Sequence, residues 1–369
     1  MVTSKSILLR FAFAAVRHMS STAPRHTASI EPPIICVVSS LDHPALKGLP
    51  RSVATFVVTS CSDAASMDQS VRLAEGMVIN TLAGQDAVRT AGELLTKGLL
   101  PKLRWVHCFT AGVDALVNSG FMSGPLAQHG LPLTNGRGAF SSSLAEYALA
   151  AALHFNKQIP RCLENRAARR WDKFEMDVLR GKTLGLLGYG DIAKATARLA
   201  KAFGMRVVAV RRNGGKPHDK DLLDMVVGPD AGPVLHEHKK ALLEQSDVVV
   251  STLPGTAEAR HFMSTKEFAV MKSGAIFISV GRGTAVDEAA LVAALPRLGG
   301  AALDVFETEP LPTSSALWDV SDAKFLLTAH NADYTSDYFD SGWGVWKENC
   351  DAFVHGTPFV TPVDTEAGY

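Results

Sequence analysis

Short apolar, β-branched runs alternate along the chain with stretches whose apolar positions recur every three or four residues. The runs at 35–40 (ICVVSS), 54–60 (ATFVVTS), 77–82 (MVINTL) and 104–109 (RWVHCF) predict strands, with intervals of helical length between some of them. Residues 141–155 carry Leu144, Ala148, Leu149 and Ala152 at helical spacing behind a Ser-rich start suited to capping, which predicts a long helix. A second series follows Gly181, with runs at 183–188, 206–210, 247–252, 275–280, 300–305 and 324–329. These are near-continuously apolar, as strands buried on both faces of a parallel sheet are. Residues 213–221 (NGGKPHDKD) read as a solvated loop, and 337–356 as a further amphipathic helix. The alternation predicts an α/β chain with helices covering parallel sheets.

Composition narrows the function. A length of 369 residues suits two domains. Lys plus Arg and Asp plus Glu both number 37, so nothing favours a general hold on nucleic acid or on an anionic membrane, which need a basic excess. No apolar run approaches the roughly 20 residues of a membrane span. The five cysteines are scattered, which suits neither a disulfide framework nor a metal site and points to a reducing compartment. Residues 1–30 contain no acid but carry Lys5, Arg10, Arg17 and Arg25 around the apolar patch ILLRFAFAAV. That is the composition of an organellar transit peptide. A mitochondrial location is expected, with the cytoplasm as the alternative. Pro32 and Pro33 mark where the folded chain begins.

GYGDIA (188–193) follows a buried strand and opens a helix, the setting that a dinucleotide fingerprint requires. Gly188 permits the tight turn and Gly190 lets the main chain approach a pyrophosphate. Asp191 and Ile192 begin the helix whose N-terminus faces the phosphates. About twenty residues on, where an NAD site places a carboxylate for the ribose, stand Arg211, Arg212 and Asn213. Two guanidiniums there suit a 2′-phosphate, so NADP is the expected cofactor, with NAD possible.

Three further segments lie at strand ends: SVGRGTAVDEAAL with Arg282 between two glycines, AALDVFETEPLP with Asp304, Glu307 and Glu309, and LLTAHNADYT with His330. With RWVHCFTAGVDAL, NGRGAFSSSLAEYALA and STLPGTAEARHF they stand in a fixed order. In these segments the chain resembles the D-isomer-specific 2-hydroxyacid dehydrogenase family, in its glyoxylate/hydroxypyruvate reductase-like branch. The resemblance implies two flavodoxin/Rossmann-like domains with parallel sheets and an active-site cleft between them. The substrate domain would be 34–139 plus 335–369, and the cofactor domain 140–334.

The resemblance also implies a catalytic set of Arg282, Glu309 and His330. Arg282 would bind the substrate's carboxylate and carbonyl oxygen, and His330 would exchange the proton. Glu309, five residues after Asp304, would hold the second imidazole nitrogen, with Glu307 the weaker candidate. Ala111 and Gly112 match the loop that takes the substrate carboxylate on its N–H groups. Thr252, Pro254 and Val280 would line the cofactor cleft, and Asp304 would stand near the nicotinamide. Arg211 departs from the family's commoner aspartate, which favours NADP.

The expected activity is NADP-preferring reduction of a short 2-keto acid, glyoxylate or hydroxypyruvate, by a homodimer that uses no metal. The alternatives are an NAD-dependent dehydrogenase of a bulkier D-2-hydroxy acid and a nucleotide-sensing, corepressor-like binding protein.

Overall fold

The computed structural model describes residues 32–62, 69–211, 221–227 and 235–369. The basic leader, Arg212, Asn213 and most of the loop after them lie outside the described residues. Two compact units divide the chain: one ends at Ala139 and resumes over Asp337–Tyr369, and the other is Phe140–Ser336.

The first unit carries β1 (Ile34–Val38), β2 (Ala54–Val58), β3 (Gly76–Ile79), β4 (Trp105–Cys108) and β5 (Leu133–Asn135), with helices α1 (Gln85–Thr96) and α2 (Asp114–Asn118). All neighbouring strands are parallel, in the order β2-β1-β3-β4-β5. β1, β3, β4 and β5 are buried almost throughout, which explains their unbroken apolar runs.

The second unit opens with α3 (Ser141–Asn156) and α4 (Ile159–Ala167). Then come β6 (Thr183–Leu187), α5 (Asp191–Ala202), β7 (Arg206–Val210), β8 (Met225–Val227), α6 (Leu235–Gln245) and β9 (Val248–Ser251). α7 (Thr265–Val270), β10 (Ile276–Ser279), α8 (Glu288–Ala294), β11 (Gly300–Leu303) and β12 (Phe325–Leu327) complete it. Its parallel sheet runs β12-β11-β10-β9-β6-β7-β8. The order reverses beside β6, and such a switch point opens a crevice at the strands' carboxyl ends. The last helix, α9 (Tyr338–His355), returns to the first unit, where Trp346, Phe353 and the following Phe359 stack on Trp105.

Two local expectations change. The Ser-rich start of α3 provides no side-chain cap, because Phe140 occupies the N-cap position. Ser143 instead donates its hydroxyl to the Ala332 carbonyl at 2.5 Å. β12 is shorter than its apolar run and ends at Leu327. Among the described residues no helix is long and apolar enough to cross a membrane, and no cluster of His, Cys, Asp and Glu could hold a metal ion.

Candidate active site

The carboxyl end of β6 supplies a cradle. Gly188 has φ +89°, a left-handed conformation that side chains rarely adopt. Its N–H donates to the Val210 carbonyl at 3.0 Å, and Thr252 N–H donates to the Leu187 carbonyl at 3.0 Å. Those bonds join β6 to the ends of its two neighbours. Gly190 is the N-cap of α5, and a Cβ built there meets no protein atom within 4 Å. Bare main chain therefore faces outward at the start of a helix, which fits the pyrophosphate of a dinucleotide. Asp191 and Ile192 form the first turn of α5, both half-buried. Arg211, half-buried, leaves the end of β7 on the same edge; Thr252 and Pro254 follow β9 and are half-buried too. Val280 is 3% exposed, with its N–H on the Ser251 carbonyl at 3.0 Å, so its side chain belongs to the core.

Arg282 follows β10. Both of its glycine neighbours are required by close main-chain approach. A Cβ on Gly281 would stand 2.6 Å from Leu253 N, and one on Gly283 would overlap the main chain of Phe306. The Arg282 peptide is thus wedged between two other loops, and its Nη1 donates to the Gly281 carbonyl at 2.8 Å.

His330 follows β12 in a left-handed conformation, φ +49°, which costs a non-glycine residue about 1–3 kcal/mol. Asp304, at the end of β11 and 1% exposed, holds the turn. Its carbonyl accepts the His330 N–H at 2.8 Å. Its Oδ1 accepts from Asn331 N–H at 3.1 Å, Ala332 N–H at 3.2 Å and Thr328 Oγ1 at 2.7 Å, and Oδ2 is 3.2 Å from Ala332 N. The carboxylate that the sequence places near the nicotinamide is thus engaged in shaping the turn that presents the histidine.

His330 Nδ1 meets Glu309 Oε2 at 2.7 Å. Glu309 Oε1 accepts the Phe306 N–H at 2.9 Å. The hydrogen bond to Glu309 raises the His330 pKa above its ordinary value, against burial and the Arg282 charge, which lower it. Burial pushes the Glu309 carboxyl up, but the bonds from His330 and Phe306, with the charges of His330 and Arg282, bring it below its ordinary value. Arg282 therefore acts on both members of the pair.

In the first unit, Ala111 and Gly112 lie in the loop after β4. Thr110 Oγ1 donates to the Gly112 carbonyl at 2.8 Å and Asn135 Nδ2 to the Ala111 carbonyl at 2.6 Å. The Gly136 N–H donates to the Thr110 carbonyl at 3.0 Å. The carbonyls of this loop are tied inward, while neither the Ala111 nor the Gly112 N–H is taken by another described residue.

Residues 149–332 match the family described as D-isomer specific 2-hydroxyacid dehydrogenase, NAD binding domain. The (S)-sulfolactate dehydrogenase of Chromohalobacter salexigens is 31% identical over 311 residues, covering 82% of this chain and 92% of its own length. The chain belongs to the D-isomer specific 2-hydroxyacid dehydrogenase family. A glyoxylate/hydroxypyruvate reductase B of Yersinia pestis is 31% identical over 271 residues, 68% of this chain and 78% of that protein. Among solved structures, a family member from Xanthobacter autotrophicus in complex with NADPH and MES superposes with a TM-score of 0.72 at 26% identity. It covers 92% of this chain and 100% of its own. These relationships make the chain an NAD(P)-dependent 2-hydroxyacid dehydrogenase with the family's paired α/β fold.

The structure of this dehydrogenase adds residues that its sequence did not single out. Tyr147 Oη lies 2.9 Å from Thr328 Oγ1, extending the Asp304 network into α3. Asn135 fixes the Ala111 loop from 24 residues away. Glu307, the weaker candidate for the histidine's partner, pairs instead with His261 Nε2 at 2.6 Å. None of these side-chain contacts has a local spacing that would reveal it.

Proposed function

We propose that this protein is an NADP-preferring reductase that converts a short 2-keto acid, glyoxylate or hydroxypyruvate, to the D-2-hydroxy acid. The observation that carries the reading is the His330–Glu309 contact, with the Arg282 charge acting on both partners. When bound, the dinucleotide supplies a hydride to the keto carbon. Arg282 binds the carboxylate and the carbonyl oxygen, as a forked cation suits. His330 Nε2–H gives its proton to that oxygen, while Glu309 holds Nδ1–H and stabilises the imidazolium. The Ala111–Gly112 loop is proposed as a carboxylate-binding turn.

Arg211 at the end of β7 supports the NADP preference. So does the neighbour crystallised with NADPH, while the relative named for glyoxylate and hydroxypyruvate supports the substrate class. The protein lacking residues 1–30 should be followed at the reduced-nicotinamide absorbance band with NADPH or NADH. The substrate panel is glyoxylate, hydroxypyruvate, phenylpyruvate and 3-sulfopyruvate. Faster oxidation of NADPH with either of the first two is expected. A clear NADH preference, or turnover of phenylpyruvate alone, would overturn the reading.

The proposal extends to assembly and location. Ile159, Leu163, Trp171, Met176 and Val178 are exposed within one short stretch, with Trp171 at 100%. Exposed apolar side chains this dense along the chain suit a homodimer contact, and light scattering should give twice the chain mass. The acid-free leader is proposed to direct the chain to mitochondria, which a fluorescent fusion with and without residues 1–30 would test.

A further inference from the structure

Two consecutive main-chain amides beside the acid/base pair are held by two different carboxylates. Phe306 N–H donates to Glu309 Oε1 at 2.9 Å, and Glu307 N–H donates to Glu288 Oε1 at 2.7 Å. Glu288 opens α8, whose N-cap, Asp287, accepts the Ala290 N–H on its Oδ1 at 2.9 Å. Ala290 and Leu291 anchor that helix in the core. The turn at 306–307 is gripped a second time, through the Glu307 side chain, by His261 Nε2 at 2.6 Å. A continuous line of contacts therefore runs from a helix in the core, through Glu288 to the Glu307 N–H, and from the adjacent Phe306 N–H to Glu309 and His330 Nδ1.

We infer that Glu288 is a positioning residue for the acid/base pair: by holding the Glu307 N–H it fixes the Phe306–Glu307 turn, and with it the Glu309 carboxylate against His330. The inference rests on the proposed role of His330. The physical need is plain. Glu309 and His330 are both partly exposed, with side-chain exposures of 35% and 40%, and a solvated ion pair holds its own geometry only weakly. A charge-assisted bond that a main-chain N–H donates to a partly buried carboxylate is a stronger constraint. Without it the Glu307 N–H loses its acceptor, and the turn that presents the Phe306 N–H to Glu309 is left to the His261–Glu307 contact and the packing of Phe306.

The surrounding charges are few. Glu307 and Glu309 face Glu288, and burial together with their charges raises its pKa. His261 faces Glu307. Arg282, Asp304 and Asp333 surround His330.

The test compares wild type with Glu288→Ala, Glu288→Asp and Glu288→Gln in the full chain. The His330 imidazole is titrated by NMR, assigned with His330→Gln, alongside the pH profile of kcat/KM. A carboxylate in contact lifts a neighbouring base by about 1–3 pH units. Glu288→Ala should forfeit part of that, roughly half a unit or more, moving the basic limb of the rate profile down equally. Glu288→Asp is too short to reach the Glu307 N–H and should shift in the same direction, which keeps the test alive if the alanine variant fails to fold. Glu288→Gln keeps an acceptor oxygen and should titrate within about 0.2 unit of wild type.

An unshifted His330 in both Glu288→Ala and Glu288→Asp would overturn the inference. So would a shift in Glu288→Gln as large as in Glu288→Ala, since charge rather than geometry would then be the link. The titration is read without substrate. Absence of turnover in every variant, wild type included, would therefore count against the proposed function alone.

Discussion

Replacing Glu309 with glutamine keeps the shape of the pair and removes its charge. In water two unit charges 4 Å apart attract by about 1 kcal/mol, and at an effective dielectric near a protein surface by about 4 kcal/mol. The His330 and Glu309 side chains are 40% and 35% exposed, so solvent screening pulls the value toward the lower figure, about 1–2 kcal/mol. One pKa unit corresponds to about 1.4 kcal/mol. Glu309→Gln should therefore lower the His330 pKa by about one unit. Burial and the Arg282 charge remain and act downward, with the Asp304 charge alone acting upward, so the variant's histidine should titrate below that of the wild type.

In the proposed mechanism, keto-acid reduction needs the protonated imidazole. It is present below the His330 pKa and lost as pH rises through it. The basic limb of kcat/KM, measured by reduced-nicotinamide oxidation from mildly acid to alkaline pH, should move down by about one unit. Stability follows the same linkage. The raised His330 pKa gives stability that is fully present below 6.5 and is lost as pH rises through the folded value. The lowered Glu309 pKa gives stability present above 4.5 and lost as pH falls through its folded value. The difference in urea midpoint between wild type and Glu309→Gln should thus be greatest between those limits and shrink on either side. A basic limb that stays in place, or moves up, would refute the pairing as the source of the raised pKa.

Gly190→Ala adds a Cβ into space that no protein atom fills. It should leave Tm unchanged while weakening NADPH binding, read by fluorescence titration, by about tenfold or more, about 1.4 kcal/mol. Gly283→Ala would drive a Cβ into the Phe306 main chain and should lower Tm sharply, by the equivalent of about 3 kcal/mol. Asp304→Asn turns an amide N–H₂ or a weaker acceptor toward the Asn331 and Ala332 N–H groups. A loss of about 1–3 kcal/mol in denaturant unfolding, with kcat falling as the His330 turn relaxes, is expected; wild-type behaviour in both assays would mean that the turn does not depend on Asp304.

The strands of the second sheet were legible because β6, β9, β10 and β11 are buried throughout. A buried parallel strand leaves an unbroken apolar run. β5 and β8 were not, since three residues each are too few to show any period. The start of α3 misled because Phe140 rather than a serine takes the N-cap position, while Ser143 donates to Ala332. The strand–turn–helix around Gly188 was readable because local main-chain geometry demands glycine there. The left-handed turn of His330 was not, because Asp304 imposes it from 26 residues away. The His261–Glu307 contact spans 46 residues, and the Glu288 bond to the Glu307 N–H spans 19. No spacing rule connects such pairs; only the meeting of strand ends on one sheet edge does.

The most direct measurement is NADPH oxidation by glyoxylate or hydroxypyruvate with wild type and His330→Ala side by side, with NADPH binding measured on the same samples. If His330 is the proton donor, the variant should bind NADPH as wild type does and lose about 100- to 10,000-fold in kcat. Turnover at a near wild-type rate, with binding intact, would contradict the assignment of the proton transfer to His330.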